Sequence, residues 1–366
     1  MALRRAIRPA AVAAVVALVL ACPHHGTGAS RVHFDFVDAC LDLQPAENKH
    51  CLPSITYLDS QAACHHPVFF PLANPDARLE AIAGDVIVEE TGLRVPFQYD
   101  CLPWQPSHAY HAAVPSRNVR CDVQSMLRKR GMTRTVVDLP IVDEEYSEMI
   151  AIYQAALRAR DSFVMIELGA RWGTWGSRAV AYLRRFNPDV FQHHLLYVEP
   201  DAVAAAGLRS VQAMNGITNY TLVEGKADAA SIMAWANKHD KVDVLDMDIQ
   251  GAELYLLPNL GDLLLNKVRR VIVGTHSNAT HARMVQLISN KWGWTVRSET
   301  PFSKDTTCVK QFLRLGTNLS EIVRRGCFSE TPFGKVAQWD GEIVADNPRF
   351  GSEAHSKACL VRKRHW

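Results

Sequence analysis

Residues 164–177 read VMIELGARWGTWGS, an apolar run that passes into a turn marked by Gly169 and Gly173, with one carboxylate, Glu167, just before it. A short apolar run closed by glycines and followed by a helical period predicts a strand feeding a helix through a tight turn. In open α/β sheets, ligands sit beyond the carboxyl ends of the strands, where such turns meet helix N-termini. Glu167, Gly169 and Gly173 form ExGxxxG, which is not the GxGxxG spacing of a dinucleotide site, and no GK[ST] follows. An acid at this turn repels a pyrophosphate and suits a ligand that is cationic or offers donors.

The same alternation continues downstream. Strands are expected at FVMIEL, HLLYVE, YTLVEG, VDVLDMD and VRRVIVG, separated by helices at TWGSRAVAYLRRF, DAVAAAGLRSVQAM and DAASIMAWANKH and a short helix around AELYLL. A further helix runs from Asn278 to Asn290 and closes at Gly293. Upstream, Asp143 is expected to cap a helix whose Tyr146, Met149, Ile150, Tyr153 and Leu157 share one face. Strands apolar on both faces and separated by amphipathic helices predict a parallel sheet covered on each side. WTVRSE and CVKQFLRL have no helix between them and are expected to pair antiparallel at one edge. WDGEIVADNPRF, from Trp339, reads as a hairpin-like closing element with no chemistry assigned. The fold class is therefore α/β, a mostly parallel Rossmann-like sheet with an antiparallel edge pair.

Acids recur at the strand ends. The second strand finishes at Glu199, where a carboxylate can accept both hydroxyls of a ribose. Two acids in register, about thirty residues apart, point to a nucleoside ligand without phosphate, and S-adenosylmethionine (SAM) fits best because it joins adenosine to a sulfonium and an amino acid head. In the fourth strand Asp243 begins the run, and Asp246 and Asp248 alternate onto one face near its end. Burying several acids in an apolar strand is costly without partners, so some should emerge at the ligand edge; Asp248 is the choice.

Taken together, IELGARWGTWG, YVEPD and VDVLDMDIQGAE, with VIVGTHS beyond them, resemble the motifs of the FkbM family of SAM-dependent methyltransferases over roughly residues 135 to 315. IQGAE is the most specific part. The chain departs from the family at Arg171 and Trp172, where Asn and a small or aliphatic residue are usual. The resemblance implies that Gly169, Ala170, Arg171 and Gly173 wrap the methionine end of SAM and that Glu199, followed by Pro200, holds the ribose. It makes Asp228 a candidate for the adenine amino group, against plain helix capping. Asp248 would lie beside the sulfonium and the acceptor, with Gln250 and Glu253 bracing the turn, so that Glu167, Glu199 and Asp248 are expected to converge on the sulfonium in one shared cleft.

Methyl transfer to a hydroxyl needs positioning and a base for the hydroxyl proton. Asp248 and His276 are the catalytic candidates, although His276 also reads as a supporting hydrogen-bond partner or a helix-entrance cap. Arg171 has three readings: partner of the SAM carboxylate, partner of Glu199, or exposed loop residue. Trp172 and Trp175 offer an acceptor wall, with helix-to-sheet packing the alternative for Trp175; Trp292 and Trp294 are read as core.

The rest of the chain sets the context. Its 366 residues are 48% hydrophobic and 21% charged, the balance of an ordinary globular protein, and the net charge of +2 argues against a dedicated nucleic-acid surface. Arg4, Arg5 and Arg8 precede an apolar run ending at Cys22, so residues 1–22 read as a signal peptide or short anchor, the latter allowing membrane association. Residues 30–130, rich in Pro, His and Cys, read as an irregular disulfide-tied cap, residues 135–315 as the methyltransferase-like domain and 316–366 as a C-terminal extension. Nine cysteines, absent from the long middle, and sequons at Asn219, Asn278 and Asn318 fit the secretory pathway. CHHP at 64–67 lacks a second CxxC-type pair, and no metal site is assigned. The expected function is O-methylation of a hydroxyl on a small molecule or glycan. The alternative is a secreted or membrane-associated interaction protein that keeps the fold without catalysis; a nicotinamide-dependent dehydrogenase is disfavoured by the turn.

Overall fold

The computed structural model describes residues 82–83, 86–89, 91–96, 146–302, 328–331, 334–337 and 341–350. The expected leader, all nine cysteines, the CHHP stretch, most of the expected cap, Asp143, the Asn318 sequon and the strand expected at 308–315 lie outside the described residues. Among the described residues no helix is long and apolar enough to cross a membrane.

Three short strands, β1 (Ile82–Ala83), β2 (Val86–Val88) and β3 (Arg94–Pro96), form an antiparallel meander. Helix α1 (Tyr146–Arg158) follows, and then β4 (Ser162–Leu168), α2 (Thr174–Phe186), β5 (Gln192–Val198), α3 (Ala202–Met214), β6 (Tyr220–Val223), α4 (Ala229–Ala236) and β7 (Val242–Met247). Two short helices, α5 (Glu253–Asn259) and α6 (Gly261–Lys267), lead into β8 (Val268–Thr275). Helix α7 (Asn278–Val285) ends in a π-helical turn over Gln286–Lys291 before β9 (Thr295–Thr300). Strands β10 (Phe328–Thr331) and β11 (Gly334–Ala337) make a hairpin, and β12 (Gly341–Asp346) completes the main sheet.

That sheet has seven strands in the order β6-β5-β4-β7-β8-β12-β9. Strands β4 to β8 pair in parallel, while β12 runs antiparallel to both β8 and β9. This is the expected mostly parallel Rossmann-like sheet with antiparallel strands at one edge. The edge differs in one respect: among the described residues β9 pairs with 341–346 rather than with 308–315. The segment read as a closing hairpin is thus a strand within the sheet. It inserts because Ile343, Val344 and Ala345 are apolar on both faces and can be buried between β8 and β9.

The alternation within β4 shows why the sheet lies between two helical layers. Phe163 and Met165 face the core made with α1 and α2, whereas Val164, Ile166 and Leu168 face the core beneath α4 to α7. Two acids inside this sandwich meet basic partners. Asp243, at the start of β7, accepts the Val164 N–H at 2.9 Å and is paired with Lys241 at 2.7 Å. Asp346 in β12 receives Arg270 at 2.6 Å and Arg297 at 2.8 Å; burial opposes its charge, but these arginines and Arg158 outweigh it and hold the carboxyl down at about 2. The order reverses at β4, whose neighbours are β5 and β7, so the crevice for a ligand opens over the carboxyl ends of β4 and β7.

Candidate functional site

The turn after β4 is stitched to both neighbouring strands. The N–H groups of Gly169 and Ala170 donate to Val198 O at 2.9 and 3.1 Å, and Asp248 N donates to Leu168 O at 2.9 Å. Gly169 has φ +83°, and a Cβ there would stand 1.9 Å from the Asp248 carbonyl oxygen, so only glycine allows this approach. Ala170 is fully buried, Arg171 adopts φ +50°, and Gly173, at φ +79°, precedes the first turn of α2 with no side chain to cap it.

Glu167 supplies that cap from the strand. Its Oε1 accepts the Trp175 N–H at 3.0 Å and its Oε2 the Gly176 N–H at 2.7 Å. Burial pushes this carboxyl up to about 7, against the pull of the two N–H groups and Arg178, with Glu199 nearby adding to the rise. Glu199 accepts Arg171 N at 2.7 Å and Asp201 N at 2.8 Å; burial raises it too. Pro200 is exposed beside it. Asp228 is exposed and caps α4 by accepting the Ser231 N–H at 2.9 Å; hydrogen bonding to Ser231 lowers its carboxyl.

At the end of β7, Asp246 and Asp248 fall on one face and line a small cavity of about 30 Å³ together with Glu148, Glu167, Gly169, Arg171, Thr174 and Trp175. Asp246 is buried, and its Oδ1 has no hydrogen-bond partner among the described residues. Burial, then the charges of Glu167, Asp248 and Glu342, push its carboxyl far up. Glu342, from β12, accepts the Ser147 hydroxyl at 2.9 Å, and burial raises it to about 8. Asp248 behaves differently. Burial opposes its charge, but the hydrogen bond and charge of His276, the charge of Arg171 and a hydrogen bond from Gln250 outweigh this and lower the carboxyl. His276 Nε2 lies 2.9 Å from Asp248 Oδ1 and 2.9 Å from the Gln250 amide. Glu253, the first residue of α5, braces the turn as expected by accepting Ile249 N at 2.9 Å.

Two expectations need correction. Glu167, Glu199 and Asp248 do not line one shared cavity: Glu167 and Asp248 do, while Glu199 is held behind the Arg171 backbone. The reason is the Gly169–Gly173 turn itself, whose Gly169, Ala170 and Arg171 N–H groups bond to Val198 and Glu199 at the end of β5. Trp172 is no acceptor wall either. It is fully buried with Leu93, Val95 and Val211, because the β2–β3 hairpin offers an apolar surface there. Trp175 packs in the core and borders the cavity as well, and Trp294 is buried as expected.

Some participants were not assigned from the sequence. Asp246 was visible in the DxD alternation, but Asp248 was preferred as the acid that should emerge at the ligand edge. Glu342 and Ser147 carried no local signal, since each reaches the site only through sheet pairing and helix packing. The ion pair between Arg178 and Glu89, with the Arg178 guanidinium 5.2 Å from the Trp172 ring centre and 5.0 Å from that of Trp175, joins residues 89 positions apart.

No protein-family model matches the chain, and no curated relative does. Solved structures with loose similarity include the human methyltransferase 10 domain containing protein, at 10% identity and TM-score 0.36, covering 62% of this chain and 94% of that one. A precorrin-6y C5,15-methyltransferase from Geobacter metallireducens aligns at 13% identity and TM-score 0.35, covering 56% and 90%. An rRNA methylase from Streptococcus thermophilus aligns at 9% and 0.35, covering 58% and 99%. The fold assignment rests on the strand order of this chain, not on these overlaps.

Proposed function

We propose that this chain binds S-adenosylmethionine at the carboxyl edge of its sheet and transfers the methyl group to a hydroxyl of a small molecule or glycan. The observation that carries the reading is the acid-lined cavity beside the Gly169–Gly173 turn, at the point where strand order reverses. Its buried Asp246 oxygen lacks a hydrogen-bond partner among the described residues, and carboxylates in low dielectric favour a cationic guest. A cavity of this size suits a cationic head only. The adenosine portion would lie over the open edge marked by Glu199, Pro200 and Asp228, where Glu199 retains capacity to accept ribose hydroxyls.

SAM supplies an activated methyl group, so the chain's own task is to orient the acceptor and receive its proton. The hydroxyl oxygen takes the methyl carbon, the carbon–sulfur pair stays on sulfur, and the proton passes to Asp248 or, through it, to His276. The lowered Asp248 carboxyl is ionised at neutral pH and half exposed, as a base must be. In this reading residues 1–22 direct the protein to the secretory pathway, where the methyl donor has to be imported.

A second reading, an interaction protein that keeps the fold without catalysis, is favoured by one observation: both Glu167 oxygens are already engaged in capping α2. Calorimetric titration with S-adenosylhomocysteine separates the two. Saturable binding supports the enzyme; absence of heat at millimolar ligand, together with no methylation of a panel of sugar and phenol acceptors, supports the interaction protein.

A further inference from the structure

We propose that Glu253 is a positioning residue for His276: it draws the Nδ1–H edge of the ring inward and leaves Nε2 as the nitrogen that exchanges a proton with Asp248. The three side chains come from the end of β7, the start of α5 and the residue after β8, and the two acids approach opposite edges of one imidazole. Nε2 is 2.9 Å from Asp248 Oδ1, and Nδ1 is 3.5 Å from Glu253 Oε1. Exposure rises in the same order: the Glu253 side chain is 0% exposed, His276 15% and Asp248 41%. A buried carboxylate, an imidazole and a half-exposed acid lining the cavity make the arrangement in which a base is oriented by a further group behind it.

The backbone explains why Glu253 reaches this place. Gln250 and Gly251 have φ +56° and +102°, and the resulting turn brings Glu253 back against the end of β7, where its Oε1 accepts the Ile249 N–H at 2.9 Å. One neutral N–H is a weak partner for a buried carboxylate, and His276 is the one basic side chain paired with it among the described residues. The Gln250 amide fixes the other edge of the ring independently. Its nitrogen lies 2.9 Å from Nε2 and 3.3 Å from Asp248 Oδ1, so it donates to both. A neutral ring that accepts at Nε2 carries its single proton on Nδ1, toward Glu253.

The chemical use of this arrangement rests on the methyl-transfer reading; the orientation of the ring does not. When the acceptor oxygen bonds to the methyl carbon, its O–H bond breaks, the proton passes to Asp248 and on to Nε2, and the carbon–sulfur pair stays on sulfur. Burial opposes charge on Asp248, but His276, Arg171 and Gln250 outweigh it, so a proton delivered there moves on to the ring. The ring then holds two N–H groups, one aimed at each acid. Its 3.5 Å contact with Glu253 shortens at that point, because a charged donor forms the tighter hydrogen bond.

The test is nitrogen NMR of the full chain carrying isotope-labelled histidine, at a pH that leaves the ring neutral, with the His276 signals assigned by their loss in His276→Gln. The unaltered protein is expected to show the Nδ1–H tautomer at His276, and Glu253→Leu, shown to be folded by its thermal midpoint, to lose it. An Nε2–H tautomer in the unaltered protein overturns the proposal even if the variant does not fold, and so does a tautomer unchanged in folded Glu253→Leu. Glu253→Gln keeps an oxygen for the Ile249 N–H while removing the charge; it should lower kcat by about 10²-fold, the lower end of a proton acceptor's contribution, with S-adenosylhomocysteine affinity within a few-fold of the parent. An unchanged kcat in that variant also overturns the proposal. The NMR measurement needs neither cofactor nor acceptor, so the two ideas fail separately: Nδ1–H without cofactor binding leaves the ring's orientation standing and removes its part in methyl transfer, whereas methyl transfer with Nε2–H sinks the positioning role alone.

Discussion

Arg178 and Glu89 hold each other in a two-point ion pair, Nε and Nη2 against both carboxylate oxygens, with the closest approach 2.8 Å and side-chain exposures of 1% and 0%. This pair fastens the upstream hairpin to α2, directly behind the turn that forms the candidate site. Removing one partner leaves the other charge buried. Glu89→Gln or Arg178→Met alone is therefore expected to cost about 3–5 kcal/mol in urea unfolding. The double variant Glu89→Leu/Arg178→Met should recover most of that loss, because two apolar groups of similar volume leave no orphan charge. Single variants within about 1 kcal/mol of the parent would show that the hairpin is not held this way.

Gly176 lies where α2 crosses β5. A Cβ at this position would stand 2.5 Å from the Tyr197 hydroxyl oxygen, and Tyr197 is itself fully buried. Gly176→Ala is expected to lower stability by about 1–3 kcal/mol through overpacking. Gly169→Ala faces a rigid carbonyl at 1.9 Å and a positive φ, so it should be more damaging and should abolish cofactor binding in any protein that still folds. Thermal unfolding of the pair ranks them, and an equal or reversed order would refute the account of the turn.

Glu199→Ala is expected to weaken S-adenosylhomocysteine binding about 10- to 100-fold, the scale of losing hydrogen bonds to a charged acceptor. Asp228→Ala should cost much less, since the exposed Asp228 carboxylate is already committed to capping α4. Asp248→Asn should leave cofactor affinity within a few-fold while lowering kcat by about 10²- to 10⁴-fold, the usual contribution of a proton acceptor. Calorimetry and initial rates separate these outcomes. A change in binding with unchanged kcat for Asp248→Asn would move that residue from the chemistry to the cofactor.

Protein stability should fall as pH rises from about 6.5 to 8. Glu342 and Glu167 hold their protons to about 8 and about 7 in the folded chain, against an ordinary value of 4.5, so over this interval the folded state binds more protons than the unfolded one. Asp346, held at about 2, contributes stability above its ordinary 3.8 and loses it only in acid, outside this range. His193, pushed down by burial and neighbouring charges to about 4, acts in the opposite sense between pH 4 and 6.5, which is why the informative range begins above that. Chemical denaturation of Glu342→Gln should show a flatter profile from 6.5 to 8 than the parent. Parallel profiles would mean that Glu342 is ionised in the folded protein.

Much of the fold was legible because it depends on local rules. Runs such as FVMIEL and VDVLDMD place alternate residues on two faces, and both faces being apolar already implies a covered parallel sheet. Gly169 declared its turn, and Glu167, Glu199 and Asp248 declared the ends of their strands, since acids are scarce in such strands unless something meets them. Asp243 follows the same rule with a different answer: its partner Lys241 is only two residues away.

What the sequence by itself determined, then, was the succession of strands and helices and the edge at which acids collect, because hydrophobic period, turn residues and strand-end charge are encoded within a few neighbouring positions. Only the tertiary structure decided that 341–346 enters between β8 and β9, that Trp172 turns into the core against Leu93, that Glu199 is separated from Glu167 by the Arg171 backbone, and that His276 stands 2.9 Å from Asp248. Each of these joins segments far apart in the chain, and such pairings are selected by the burial of complementary surfaces, a quantity that no single stretch of sequence contains.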